Sequence, residues 1–198
     1  MNFLAHMYLS FNNEEIMIGN YIADFVKGKQ INQIPDSIQK GILLHREIDR
    51  YTDSHEIVKL SKKRLVTKYR HYASVIIDIF YDHFLARNWD QYSSESLKKF
   101  TSRNYEILNK RNSIIPDKAL YVLTHMSATD WLYNYQFLDG IEMALRGMAR
   151  RTKFDSRMEN SIADLKYDYD LYNNEFEAFF AQITSHSKNY LEYLNTND

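Results

Sequence analysis

The chain contains no cysteine, which removes disulfides, thiolate zinc sites and cysteine nucleophiles together and fits a cytoplasmic home. Proline and glycine are scarce, two and five among 198 residues. With so few helix breakers and apolar residues recurring at helical spacing, the sequence predicts an all-α protein. No apolar run approaches the roughly 18 residues of a membrane span, and the opening Met1-Asn2-Phe3-Leu4-Ala5-His6 lacks the basic-then-apolar pattern of a secretory leader. A net charge of -1 argues against a bulk nucleic-acid binder. There is no phosphate-binding loop, dinucleotide fingerprint or nucleophile elbow. No Glu is followed three residues later by His, which sets aside the di-iron carboxylate bundles. No Pro/Gly/Ser-rich linker interrupts the chain, so one helical-bundle domain over residues 1–198 is expected.

What is present is chemistry inside helices. In Asp78-Ile-Phe-Tyr-Asp82-His83-Phe84-Leu85 two carboxylates four residues apart share a helix face, with an imidazole beside them. Apolar neighbours surround them on every side, so these polar groups need a partner, a metal or water. His45 and Asp49 form a second such pair, and Asn20 and Asp24 a third. Oxygen and nitrogen donors from several helices, rich in Asp and His, suit a hydrolytic Mn, Mg or Fe site.

Along the chain, Asn13-Glu14 opens a helix that runs to Phe25 and stops near Gly28. Pro35-Asp36-Ser37 starts the His45/Asp49 helix, and Asp53-Ser54-His55-Glu56 reads as a capping box for the next. That helix carries Lys59, Lys62, Lys63, Arg64 and Lys68, followed by Arg70, a pattern that ordinary solvated helix faces also show. Further helices are expected over residues 73–88, 94–110, 117–135, 138–150 and much of 160–194. The sixteen Tyr and eleven Phe mostly fall at helical spacing, as in Tyr167, Tyr169, Leu171, Tyr172, Phe176, Phe179 and Phe180. They therefore read as core rather than as a stacking surface for bases.

Five blocks carry a family resemblance. Asn2-Phe3-Leu4-Ala5-His6, Gly19-Asn20-Tyr21-Ile22-Ala23-Asp24-Phe25-Val26-Lys27-Gly28, His45-Arg46-x-Ile48-Asp49 with Thr52-Asp53, Asp78-x-x-x-Asp82-His83-Phe84-Leu85 with Trp89, and Gly147-Met148-Ala149-Arg150-Arg151 resemble the acyl carrier protein phosphodiesterase family, in order and at matching spacing. The resemblance implies an all-helical fold related to the HD-domain phosphohydrolases and a divalent metal, manganese being the family's preferred ion, with magnesium and iron as alternatives. It implies a role in fatty acid and lipid metabolism, with acyl carrier protein as substrate and partner. The reaction would be hydrolysis of the phosphodiester that joins 4′-phosphopantetheine to a carrier serine. One departure stands out: no His here is directly followed by Asp, and Asp82-His83 reverses the order.

On that resemblance His6, Asp24, His45, Asp82 and His83 are the expected metal ligands or their immediate support. Asp78 and Asp49 are expected as further ligands, orienting groups or a base for the attacking water. Asn20 would hold a ligand or a water, and Arg46 and Lys27 would meet the phosphate. His55, His71, His125 and His186 fall in no block. Two other readings stay open at this point: an HD-type phosphohydrolase acting on a nucleotide such as an alarmone, and a non-catalytic helical binding module. The oligomeric state is not legible in the sequence.

Overall fold

A computed structural model describes residues 1–196, which form helices joined by short turns with no strand among the described residues. In chain order the α-helices are α1 (Phe3–Tyr8), α2 (Glu14–Ile22), α3 (Asp36–Ser54), α4 (Glu56–Tyr69), α5 (Ala73–Arg87), α6 (Leu97–Lys110), α7 (Asp117–Ala128), α8 (Trp131–Asn134), α9 (Leu138–Ala149), α10 (Ser161–Tyr167) and α11 (Tyr169–Thr196). None of them is long and apolar enough to cross a membrane.

Asn13 caps α2, its side chain accepting the Ile16 N–H at 3.2 Å. The α-helix ends earlier than the sequence pattern suggests. It tightens at Ala23–Phe25 into a 3-10 turn that carries Asp24, and Gly28, with φ of 53°, redirects the chain. The cap of α4 also differs from expectation. Asp53 and Ser54 remain within α3, and His55 caps α4 by accepting the Ile57 N–H on Nδ1. The segment expected as one helix over 117–135 breaks at Asp130, which adopts left-handed φ and ψ of 50° and 53° and splits α7 from α8. Asp168, with φ of -108° and ψ of 30°, separates α10 from α11 without a left-handed turn.

One continuous hydrophobic core runs through the bundle. Its aromatic spine comes from α11, where Tyr172, Phe176 and Phe179 are buried against Phe80, Tyr81 and Phe84 of α5 and Phe180 against Tyr8 and Tyr92. Tyr167 and Leu171, expected in that core, stand outside it at 88% and 45% exposure. Tyr167 is the last residue of α10, and Leu171 lies off the face that α11 presents to α5. The helices that position the polar site are α2 and α3, which meet backbone to backbone. A Cβ on Gly19 would lie 2.1 Å from the Ile38 carbonyl oxygen, and one on Gly41 2.3 Å from that of Ile16. Only glycine admits so close a crossing.

The basic surface of α4 is largely neutralised. Lys62 pairs with Asp53, Arg64 with Glu175 and Lys68 with Asp164, leaving Lys59, Lys63 and Arg70 exposed.

Candidate metal centre

Three helices deliver the site. His6 comes from α1, one turn after its start; Asn20 is on α2; His45 and Asp49, four apart, share a face of α3. Asp24 follows in the 3-10 turn after α2. The close crossing of α2 and α3 sets Asn20 against the imidazoles. Its carbonyl oxygen accepts from His45 Nδ1 at 2.9 Å, and its side-chain Oδ1 accepts from His6 Nδ1 at 3.1 Å. The Asn20 amide is itself oriented, because its Nδ2 donates to Ser10 Oγ at 2.9 Å while Ser10 Oγ donates to the His6 carbonyl at 2.9 Å.

These partners fix the tautomers. A carbonyl oxygen can only accept, so each Nδ1 carries the hydrogen and a neutral ring leaves its Nε2 lone pair bare. Both Nε2 atoms are buried and have no hydrogen-bond partner. They face the Asp49 carboxylate, with His6 Nε2 3.2 Å from Oδ1 and His45 Nε2 3.2 Å from Oδ2. The two rings stack at 3.9 Å between centroids, 15° from parallel. The donor atoms of His6, His45 and Asp49 lie within 4.8 Å of one another. Asp24 Oδ1 stands 3.4 Å from His45 Nε2. Its side chain is 70% exposed and that of Asp49 41%, whereas those of His6 and His45 are 4% and 8%. The cluster therefore opens to solvent on its carboxylate side.

The electrostatics call for a positive charge. Burial opposes charging His45, but Asp24 and Asp49 outweigh it and lift the imidazole to about 9. Burial and the neighbouring His45 push His6 down. Burial would raise Asp49, yet His45 and His6 hold its carboxyl far below the usual range, and His45 likewise lowers Asp24. So one of two stacked rings takes a proton into a pocket whose acids stay ionised. A first-row divalent cation suits the same place: two buried imidazole nitrogens with hydrogen-bonded Nδ1 atoms and one carboxylate form a mixed N/O donor set with its outer support in place.

Other expected site residues lie elsewhere. Asp82 is fully buried and turns toward α1, accepting the N–H groups of Asn2, Leu4 and Ala5 at 3.2, 2.8 and 3.4 Å. It serves as a cap for α1 supplied by another helix, satisfying the donors that a helix start leaves open. Burial nonetheless pushes its carboxyl up to about 7. His83 uses both nitrogens internally: Nδ1 donates to the Tyr135 carbonyl at 2.7 Å, and Nε2 accepts from the Tyr169 hydroxyl at 2.8 Å. Asp82 and His83, expected in or beside the ligand set, thus have their polar atoms engaged by helix-start amides and by a carbonyl–hydroxyl pair. Asp78 takes the Met1 ammonium at 3.0 Å, and that ammonium also lies 3.7 Å from Asp49, so Asp78 borders the cluster through Met1. Arg46 and Lys27 are exposed, and neither is in an ion pair among the described residues. Ser10 was missed; its signal was its place four residues after His6, on the same side of the chain.

The comparisons with known proteins agree on one family. The sequence profile described as acyl carrier protein phosphodiesterase matches residues 1–183. Proteins named acyl carrier protein phosphodiesterase include one from Enterobacter sp. (strain 638), 32% identical over 191 residues that cover 96% of this chain and 98% of the relative. One from Photorhabdus laumondii is 33% identical over 184 residues, 92% of this chain and 91% of its own. One from Escherichia coli is 32% identical over 185 residues, covering 92% and 95%. No solved structure matches. With the profile spanning nearly the whole chain and relatives of this identity aligned along almost their full lengths, the chain belongs to the acyl carrier protein phosphodiesterase family.

Proposed function

We propose that this chain is a divalent-metal-dependent phosphodiesterase that hydrolyses the bond between 4′-phosphopantetheine and a serine of acyl carrier protein, releasing the apo carrier and free 4′-phosphopantetheine. The observation that carries this reading is the pair of buried, unpartnered imidazole Nε2 atoms converging on Asp49, in a chain of this family. His6, His45 and Asp49 would hold the ion, with Asp24 within reach of the same point. Manganese is the first choice, with magnesium and iron as alternatives. The ion would supply a Lewis acid for a phosphoryl oxygen and for the attacking water.

The chain's own residues do the rest. Asn20 fixes both rings through its carbonyl and its side-chain oxygen, so the Nε2 atoms need no reorganisation when a ligand arrives. Asp24, kept ionised beside His45 and largely solvent-exposed, is the carboxylate best placed to accept a proton from water. Arg46 and Lys27, exposed and free of carboxylate partners among the described residues, offset the charge of the anionic phosphodiester. Asp49 and Asp78 hold the Met1 ammonium between them, which keeps two acids from repelling the substrate unopposed. One helical domain carries all of this, and the protein works in the cytoplasm, where its carrier partner would be.

The test is the mass of holo acyl carrier protein before and after incubation with the protein and Mn. Loss of the mass of the prosthetic group, abolished by a chelator and restored by Mn, is expected. An unchanged carrier in Mn, Mg and Fe overturns the reading.

A further inference from the structure

The block Gly147-Met148-Ala149-Arg150-Arg151 takes no part in the metal centre. Its Gly147, Met148, Arg150 and Arg151 line a groove of about 540 Å³ between α7, α8 and α9 that reaches Phe3 of α1. That volume lies within the roughly 300–1,000 Å³ of small-molecule sites. The walls are apolar: Phe3, Tyr121, Trp131, Met143, Ala144 and Met148. Tyr121 and Met143 stand 68% and 63% exposed, large apolar side chains left in water at the groove's edge.

Gly147 is the revealing residue. Gly19, Gly41 and Gly140 each sit where a Cβ would collide with backbone, whereas a Cβ on Gly147 would meet nothing within 4 Å. Glycine inside a helix costs about 1 kcal/mol relative to alanine, and here no neighbouring contact requires it. What the missing side chain preserves is open space in the groove. Two further facts orient the groove. Phe3 precedes His6 by three residues on α1, so the groove begins one helical turn from the metal centre. Arg150 and Arg151 line it beside Gly147 and Met148, and neither has a carboxylate partner among the described residues.

We infer that this groove holds the aliphatic chain carried on the thiol end of the phosphopantetheine arm, so that a fatty acyl carrier is gripped by its chain here while its phosphodiester lies at the His6/His45/Asp49 cluster. The inference rests on the proposed phosphodiesterase reading. The arm leaves the phosphate at the cluster, passes Phe3 and enters an apolar trough, with the two arginines beside it offering charge to the anionic phosphate.

The probe is S-dodecylpantetheine, a small amphiphile that cannot be hydrolysed at a phosphodiester. Trp131 lies in the groove and the only other tryptophan, Trp89, is buried elsewhere in the core, so tryptophan emission reports binding at this place. Saturable binding with a blue shift is expected in the wild-type protein, and Trp131→Phe should remove the shift. Gly147→Leu, which fills the groove from a helix position with room for it, should weaken binding at least tenfold. Met143→Glu, at an exposed rim position, should do the same if Gly147→Leu folds poorly. Equal affinity in wild type and in both variants, or no saturable binding at all, overturns the proposal. Holo carrier is assayed in parallel. If it stays intact while Gly147-dependent binding persists, the hydrolase reading fails and the groove stands; if it is cleaved while the amphiphile ignores both variants, the groove assignment fails alone.

Discussion

His45 with Asp49 and Asp82 with His83 look alike in the sequence, each an acid and an imidazole on a mostly apolar helix, yet the structure uses them in opposite ways. In the first pair the imidazole is anchored by Nδ1 alone, and its Nε2 is buried without a partner. In the second pair every side-chain polar atom is engaged, Asp82 by the amides at the start of α1 and His83 by Tyr135 and Tyr169. A buried polar atom left unpaired costs free energy, and a cation beside Asp49 would complete both Nε2 atoms at once. The same residue types thus separate into a candidate binding site and a structural joint according to what is left over.

The comparison can be broken most forcefully at the open pair. His45→Ala should reduce phosphodiester hydrolysis at least about 1,000-fold, because a lost ligand removes the several kcal/mol a bound cation lends to the transition state, while the circular dichroism spectrum stays unchanged. Asp82→Ala should do the reverse. It strands the amide donors of α1 in the core and should cost about 3 kcal/mol of stability, read by urea unfolding, with metal stoichiometry by elemental analysis unaltered. If Asp82→Ala instead removes the metal and leaves the stability intact, the two pairs are not different in kind.

The pH dependence sharpens the contrast. Burial holds the His83 imidazole down at about 4, despite the bond to the Tyr135 carbonyl, against 6.5 as its ordinary value. A histidine depressed in the folded state binds its proton more tightly when unfolded, so its contribution is complete above about pH 6.5 and is lost as pH falls from there toward 4, about 3 kcal/mol in all. In His83→Gln the slope of unfolding free energy with pH over that window should fall by close to one proton. An unchanged slope would mean that His83 is charged in the fold. Asn20→Ala should be milder at the open pair: it releases His6 but keeps the main-chain bond to His45, and should weaken Mn affinity about 10- to 100-fold, read by competition with a chelating dye. The smallest effect is expected on α4, where Lys59→Glu with Lys63→Glu should change stability by less than about 0.5 kcal/mol and leave the KM for the carrier unmoved, whereas Arg150→Glu with Arg151→Glu should raise it at low salt.

Whereas His6 entered the candidate set through the family resemblance, the helical class, most helix starts and the Asn20/Asp24 and His45/Asp49 pairings were legible in the sequence because each rests on spacing within a few residues. Asn13 as a cap and Asp117 as the start of α7 are of that kind. Asp82 and His83 were not separable from ligands, because what satisfies them lies 52 to 86 positions away, and no local pattern encodes which helix start will pack over an acid. The groove was hidden for a related reason. It depends on the chain turning left-handed at Asp130, a non-glycine residue that periodicity reads straight through. The exposure of Leu171 likewise follows from how α11 is rotated, and that of Tyr167 from the end of α10 there, neither of which an evenly aromatic run announces.

The contact of Gly19 with Gly41 bears on how the metal centre would tolerate change. Because two backbones touch there, the gap between the Asn20 carbonyl and the His45 ring is set by main-chain atoms rather than by the side chains that fill the core. Exchanging Leu for Met or Ile for Leu nearby can be absorbed by repacking without moving that gap. A single methyl group at either glycine cannot be absorbed, since no rotamer removes it. The centre is therefore robust to most variation in the core and vulnerable to the smallest addition the genetic code allows, at positions that carry no chemistry of their own.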